Sequence, residues 1–190
     1  MKKNALAIAD VVEIVPDRHA DERGYFAETF RDDWFQREVA PVAFVQENQS
    51  LSRGEGTIRG LHFQRNPMAQ GKLVRCLTGA IWDIAVDIRP GSSSFGRWVG
   101  ITLTPAQGNQ LWIPPGFLHG FCTLMPETEV SYKVTQYYSP QHDAGVAWDD
   151  PEIGIDWPLF ADPKSLSAKD TRQPSLRELR NRLGQQLENS

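Results

Sequence analysis

Several common chemistries are missing from this sequence. It has only two cysteines in 190 residues, Cys76 and Cys122, too few for a disulfide framework or a cysteine-rich metal site. Both sit in apolar, strand-like segments, which reads as buried free thiols in a reducing cytosol. Basic residues are not in excess: 20 Lys and Arg stand against 24 Asp and Glu, for a net charge of −4. No Lys/Arg cluster forms the basic face that a nucleic-acid track needs, although Arg59, Lys72 and Arg75 suffice for one or two phosphates. No apolar run approaches the roughly 18 residues of a transmembrane helix. Asp10 and Glu13 interrupt the N-terminal apolar stretch and argue against a signal peptide. There is no glycine-rich loop opening a helix and no Gly-x-Ser-x-Gly elbow, so dinucleotide folds, P-loops and serine hydrolases have no support.

What remains is β-type sequence. The apolar fraction of 40% and the charged fraction of 23% suit a folded globular chain. Ten short runs rich in β-branched and aromatic residues follow one another, from DVVEIVP near the start to EVSYKVTQYY near Tyr138. Most are bounded by Gly, Pro, Asn, Asp or Ser, which predicts a sandwich or barrel. Only RDDWFQREVA and PSLRELRNRLGQQLE read as helices. The second aligns Leu176, Leu179, Leu183 and Leu187 on one face, with Pro174 or Ser175 at its start. The expectation is one domain over residues 1–190, with a β core at about 17–150 and a C-terminal extension at about 151–190.

Two strands carry more information than their periodicity. In AIWDIAVDIRP, Trp82, Ile84, Val86 and Ile88 share an apolar face that belongs to the core. Ile81, Asp83, Ala85 and Asp87 share the other, which is either solvent-facing or the polar interior of a barrel. In GTIRGLHFQRNPMAQGKLVRCL, residues 56–77, strict alternation puts Arg59 and His62 on opposite faces. Gly60 lies between them, and a strand glycine often marks a bulge that re-aims a side chain. A bulge or irregular turn near Gly60 is therefore expected, bringing Arg59 and His62 to the same side.

The segment GNQLWIPPGFLHGF, ending at Phe121, resembles the second motif of the cupin β-barrels. A metal-binding cupin also needs a His-x-His pair and a glutamate in its first motif. Here that region offers only His62, while His19 and His142 sit in polar, loop-like segments. No metal site is expected. Proton transfer next to a ketone needs a base of near-neutral pKa, a cation or donor for the enolate oxygen and, for inversion, an acid on the opposite face. His62, Lys72 and Tyr132 are the residues of the right types. From composition alone, a lone strand histidine is more often structural than catalytic.

The segments DERGYFAETF, QENQSLS, TIRGLHFQ, AQGKLVRC, WDIAVDIRPGSSSFGRW, LWIPPGFLHGF, YKVTQYYSP and IGIDWP with LSAKD occur in this order between about Asp17 and Asp170. Together they closely resemble the dTDP-4-dehydrorhamnose 3,5-epimerase family. The resemblance implies an all-β, cupin-type jelly-roll barrel with no metal or other cofactor, generally a cytoplasmic homodimer. The implied substrate is the small molecule dTDP-4-dehydro-6-deoxy-D-glucose, inverted at C3 and C5 on the way to L-rhamnose. It also implies His62 as the base, Asp170 as its partner, Lys72 beside the C4 oxygen and Tyr132 as the opposing proton donor. Arg23, Phe26, Glu28, Gln46, Asn48, Arg59, His119, Asp143 and Lys169 match nucleotide- or substrate-binding positions. Tyr138 matches the aromatic that stacks on thymine, and Asp83 is a weaker candidate for a supporting role. Asp143 stands where the family often has Glu, and the RNPMAQG loop departs from its usual polar version. A mono-epimerase of a related keto-sugar and a non-catalytic nucleotide-sugar-binding cupin are the alternatives.

Overall fold

The structure, a computed structural model, describes the backbone of residues 1–188 and the side chains of residues 1–182. Two antiparallel sheets face each other. One has six strands, in the order β1 (Lys2–Ala5), β2 (Val12–Val15), β10 (Gln110–Ile113), β7 (Lys72–Thr78), β12 (Thr128–Val134) and β5 (Gln46–Ser52). The other has five, in the order β13 (Asp143–Gly145), β6 (Ile58–Gln64), β11 (Phe117–Thr123), β8 (Ile81–Asp87) and β9 (Trp98–Leu103). A separate hairpin pairs β3 (His19–Asp21) with β4 (Gly24–Phe26). The helices are α1 (Asp32–Glu38) and α2 (Leu176–Glu188), near the two expected positions. The architecture is all-β, within the sandwich or barrel class that the short runs imply, and it is the jelly roll that the family resemblance implies.

From β5 to β8 and again from β10 to β13 the chain alternates between the sheets. Residues close in sequence therefore face each other across the interior. Tight reversals make this possible: at Gly79, between β7 and β8, φ is +79° and an added Cβ would sit 2.2 Å from Thr128 Oγ1.

Apolar residues collect in three layers. The barrel interior holds Val74 and Cys76 of β7, Ile81 and Ala85 of β8, Leu111 and Ile113 of β10, Phe117 and Phe121 of β11, and Val130 of β12. Outside the five-stranded sheet, Leu61, Phe63, Ile84, Val86, Ile88 and Leu118 pack under Val146, Ile153, Leu176 and Leu179. Outside the six-stranded sheet, Leu73 and Trp112 pack against Phe35 of α1, with Phe30 and Phe44 alongside. The expected core face of β8 is thus the outer core, beneath the C-terminal extension. The mixed face with Asp83 and Asp87 is the barrel interior, which decides between the two readings of that strand. Each fully buried Leu or Ile in these layers contributes about 1.5–3 kcal/mol relative to exposure.

The extension is fastened by hydrogen bonds as well as by its leucines. Asp150 Oδ1 accepts from the backbone N–H groups of Glu152 and Ile153, and its Oδ2 from that of Leu176. Ser175 and Glu178 form a capping box at the start of α2. Leu176 and Leu179 are buried, whereas Leu183 and Leu187 lie outside the described side chains. Cys76 and Cys122 are buried free thiols, and burial pushes both to about 11.

Candidate active site

β6 is irregular where the glycine predicts it. His62 pairs with His119 of β11, but the ladder slips before Arg59 meets Phe121. Gly60 has φ +122°, and a Cβ there would lie 2.6 Å from Gly120 Cα, so only glycine fits this crossing. Beyond the slip, Arg59 does not follow Leu61 and Phe63 to the outside. Its guanidinium donates to Ser52 Oγ and the Leu51 carbonyl of β5, in the opposite sheet. Arg59 and His62 thus both point toward the facing sheet.

His62 lines a cavity of about 280 Å³ at one end of the barrel. Lys72, Tyr132, Gln46, Asn48, Tyr138, Asp143 and Lys169 line it too, with Phe63, Gln64 and Gln70. Eight of the fourteen catalytic and binding candidates named from the sequence therefore come together, drawn from β5, β6, β7, β12, the β12–β13 connection, β13 and the C-terminal extension. Asp170 is a ninth, reached through His62. Inner-face alternation explains the strand contributions: Lys72 precedes the interior residues Val74 and Cys76, and Tyr132 follows Val130.

His62 Nε2 lies 2.5 Å from Asp170 Oδ1. Asp170 sits in a 3₁₀ turn, Asp170–Arg172, and its Oδ2 accepts from Ser167 Oγ at 2.8 Å. Burial pushes the Asp170 carboxyl up, but hydrogen bonds from His62 and Ser167, with the nearby Lys169 charge, leave it net lowered. An ionised carboxylate only accepts, so His62 carries its proton on Nε2 and keeps Nδ1 as a lone pair.

Lys72 is buried, which lowers its pKa to about 8 against the opposing pull of Asp83 and then Asp143. Burial raises the Tyr132 phenol, with Arg59 opposing. Asp143 is closed at the cavity edge by an ion pair with Lys169 and by the Tyr138 hydroxyl at 3.2 Å. The cavity therefore sets a lone-pair nitrogen, a buried ammonium and a protonated phenol around one volume.

The remaining candidates lie elsewhere. Arg23, Phe26 and Glu28 are exposed and do not line the cavity; Arg23 bonds to Asp21 across the β3–β4 turn, and Phe26 is 71% exposed. Neighbouring Tyr25 lies beside Cys76 and Leu77, at the end of β7 opposite Lys72. Leu77 lies five residue steps along the strand from Lys72, roughly 16 Å. His119 is also absent from the lining, being buried and bonded through Nε2 to Asp83 Oδ1 at 2.8 Å. Gln64 and Gln70 went unselected from the sequence. Gln64 fastens the cavity's rim, donating to the Met68 and Tyr137 carbonyls and accepting from the Ser139 N–H. Its place two residues after His62, on the same strand face, is the signal that marks it.

Comparison with known proteins agrees with this fold. The family model described as dTDP-4-dehydrorhamnose 3,5-epimerase matches residues 5–178. A protein of that name from Sinorhizobium fredii is 55% identical over 175 residues, covering 92% of this chain and 89% of its own length. Its namesake from Escherichia coli is 49% identical, covering 90% and 92%. The crystal structure of a dTDP-6-deoxy-D-glucose-3,5-epimerase from Legionella pneumophila in complex with dTDP-4-keto-L-rhamnose superposes with a TM-score of 0.89 at 38% identity, over 96% of both chains. With a matching family model over most of its length and relatives of this identity, the chain belongs to the dTDP-4-dehydrorhamnose 3,5-epimerase family.

Proposed function

We infer that the protein is an isomerase that epimerises C3 and C5 of dTDP-4-dehydro-6-deoxy-D-glucose, giving dTDP-4-dehydro-L-rhamnose. The observation that carries this reading is the His62–Asp170 pair opening into a cavity shared with Lys72 and Tyr132. His62 Nδ1 takes the proton from the carbon beside the C4 ketone. The electron pair moves onto O4, and the Lys72 ammonium stabilises the enolate. The Tyr132 hydroxyl returns a proton to the opposite ring face, and the same cycle serves the second carbon. Each cycle exchanges one carbon-bound proton and consumes no co-reactant, once imidazolium and phenolate re-equilibrate. Asp170 fixes the tautomer and the orientation of the imidazole.

Lys169 on the cavity lining, and Arg59, outside the lining but near enough for its charge to act on Tyr132, supply positive charge for the diphosphate, and Gln46, Asn48 and Tyr138 line the way to the base. Asp143 is available for a hydroxyl once Lys169 turns to phosphate. His119, bonded through Nε2–H to Asp83, presents only an acceptor nitrogen and suits a sugar hydroxyl better than a phosphate. Arg23, Phe26 and Glu28 reach a nucleotide only from a second copy, which ties that part of the binding set to a homodimer. Co-expressing Arg23→Ala and His62→Ala chains then restores one intact site per mixed dimer, and no restoration removes this assignment. Buried free thiols suit a reducing, cytoplasmic setting.

Turnover of the keto-sugar nucleotide in deuterated water tests the whole reading. Solvent deuterium is expected at both C3 and C5. Incorporation at one carbon makes the protein a mono-epimerase, and tight binding without incorporation makes it a binding protein.

A further inference from the structure

We propose that Asp83 is a positioning residue for the reaction: a buried counter-charge that keeps the Lys72 ammonium protonated beside the cavity. This rests on the epimerase reading of that cavity. Asp83 lies on the interior face of β8, opposite Phe121 of β11 and Ile101 of β9, with no exposure at all. A carboxylate so placed normally has both oxygens engaged. Its Oδ1 takes the 2.8 Å bond from His119, but Oδ2 is buried with no hydrogen-bond partner among the described residues.

Lys72 is the complementary anomaly. It enters the same interior from β7 of the facing sheet, buried, and none of the ion pairs among the described residues includes it. Asp143, the other carboxylate acting on it, is already paired with Lys169. His119 cannot cancel the Asp83 charge, because burial lowers its pKa and holds it neutral. The Asp83 charge is therefore left to act on Lys72, where it is the strongest influence opposing the burial that would strip the proton. The charged and titratable groups around Lys72 are Asp83, Asp143, Lys169, His62, Tyr132 and His119. Of these, Asp83 is an anion without a competing cation, and, fully buried, it is not part of the cavity lining.

An ammonium that titrates near pH 8 stabilises an enolate only while protonated, so activity falls as pH rises through that value. Removing the Asp83 charge moves the loss to lower pH. Asp83→Asn keeps shape and the bond to His119. It is expected to shift the alkaline limb of kcat down by about one pH unit, a tenfold change in the protonation equilibrium, with KM changed less than kcat. His119→Phe, which leaves the Asp83 charge, is expected to raise KM and leave that limb in place. The Lys72 ammonium is also followed directly, by NMR titration of ¹³C-lysine-labelled protein with Lys72→Arg as the assignment control. That readout needs no substrate, so it judges the Asp83 proposal even if the wild-type protein fails to turn over the keto-sugar. A wild-type-like Lys72 titration in Asp83→Asn, with native thermal stability, overturns the proposal. So does a His119→Phe profile that matches Asp83→Asn. If Asp83→Asn does not fold, Asp83→Ser, which leaves room for a water, is read by the same titration.

Discussion

Two histidine–carboxylate pairs sit side by side in this barrel, and they have opposite surroundings. His62 and His119 are direct partners across β6 and β11, and each bonds to an aspartate through Nε2. The His119–Asp83 pair is built wholly from barrel strands, with side-chain exposures of 8% and 0%. The His62–Asp170 pair joins a barrel strand to the C-terminal extension, and the His62 side chain keeps 29% exposure into the cavity. The same hydrogen bond thus gives one imidazole open to the cavity and another that is almost wholly buried. Access, rather than the dyad itself, separates a proposed base from a supporting group.

The sharpest way to break this contrast is His62→Ala. A lost general base costs roughly 10³-fold in kcat, and leaving the buried Asp170 carboxylate without its imidazole partner should also cost about 1–3 kcal/mol of stability. Steady-state rates and a melting curve check both. Leu176→Ala comes next, because it acts on only one of the two pairs. Emptying a fully buried leucine site costs about 2–5 kcal/mol of stability. By loosening the extension that carries Asp170, it should lower kcat while leaving the alkaline limb set by Lys72 in place. Denaturant melts and a pH–rate profile separate those effects.

Asp170→Asn keeps the shape and removes the charge, and should lower kcat by about 10–100-fold. The stability sign follows from the lowered carboxyl: the contribution is fully present above its unfolded value of about 3.9 and is lost as pH falls through the folded one. An acid-unfolding midpoint less sensitive to pH in Asp170→Asn checks this. Asp143→Asn should have the smallest effect. The Lys169–Asp143 ion pair has a lysine side chain 45% exposed, and such pairs are worth less than about 1 kcal/mol. Its melting temperature should barely move, while KM for the nucleotide sugar is the quantity that responds.

Much of the first pair was legible in the residues. His62, Lys72 and Tyr132 are the right types for proton transfer, and Gly60 foretold the slip that turns Arg59 toward the facing sheet. Asp170 lies 108 residues from His62, and no periodicity links them; only the family resemblance paired them. The second pair was half legible. Alternation placed Asp83 on a mixed face, yet solvent and barrel interior produce the same pattern, so its bond to His119 emerged only once the strands were arranged. Arg23, Phe26 and Glu28 show the converse. Sequence motifs grouped them with the cavity residues, and the fold of a single chain puts them elsewhere.

By itself the sequence determined the elements: short β runs, two helices, an inner and an outer face on each strand, and residue types suited to proton transfer. Those features follow from local sterics and from a side-chain period of two, which any short window of sequence contains. The tertiary structure decided which faces are interior, which histidine stays open, and how Asp170, Asp83 and Lys72 stand toward one another. Those outcomes depend on the chain alternating between sheets and on the extension covering the outer face. Both are long-range contacts, and the desolvation and charge coupling they create exist only after the sheets have closed.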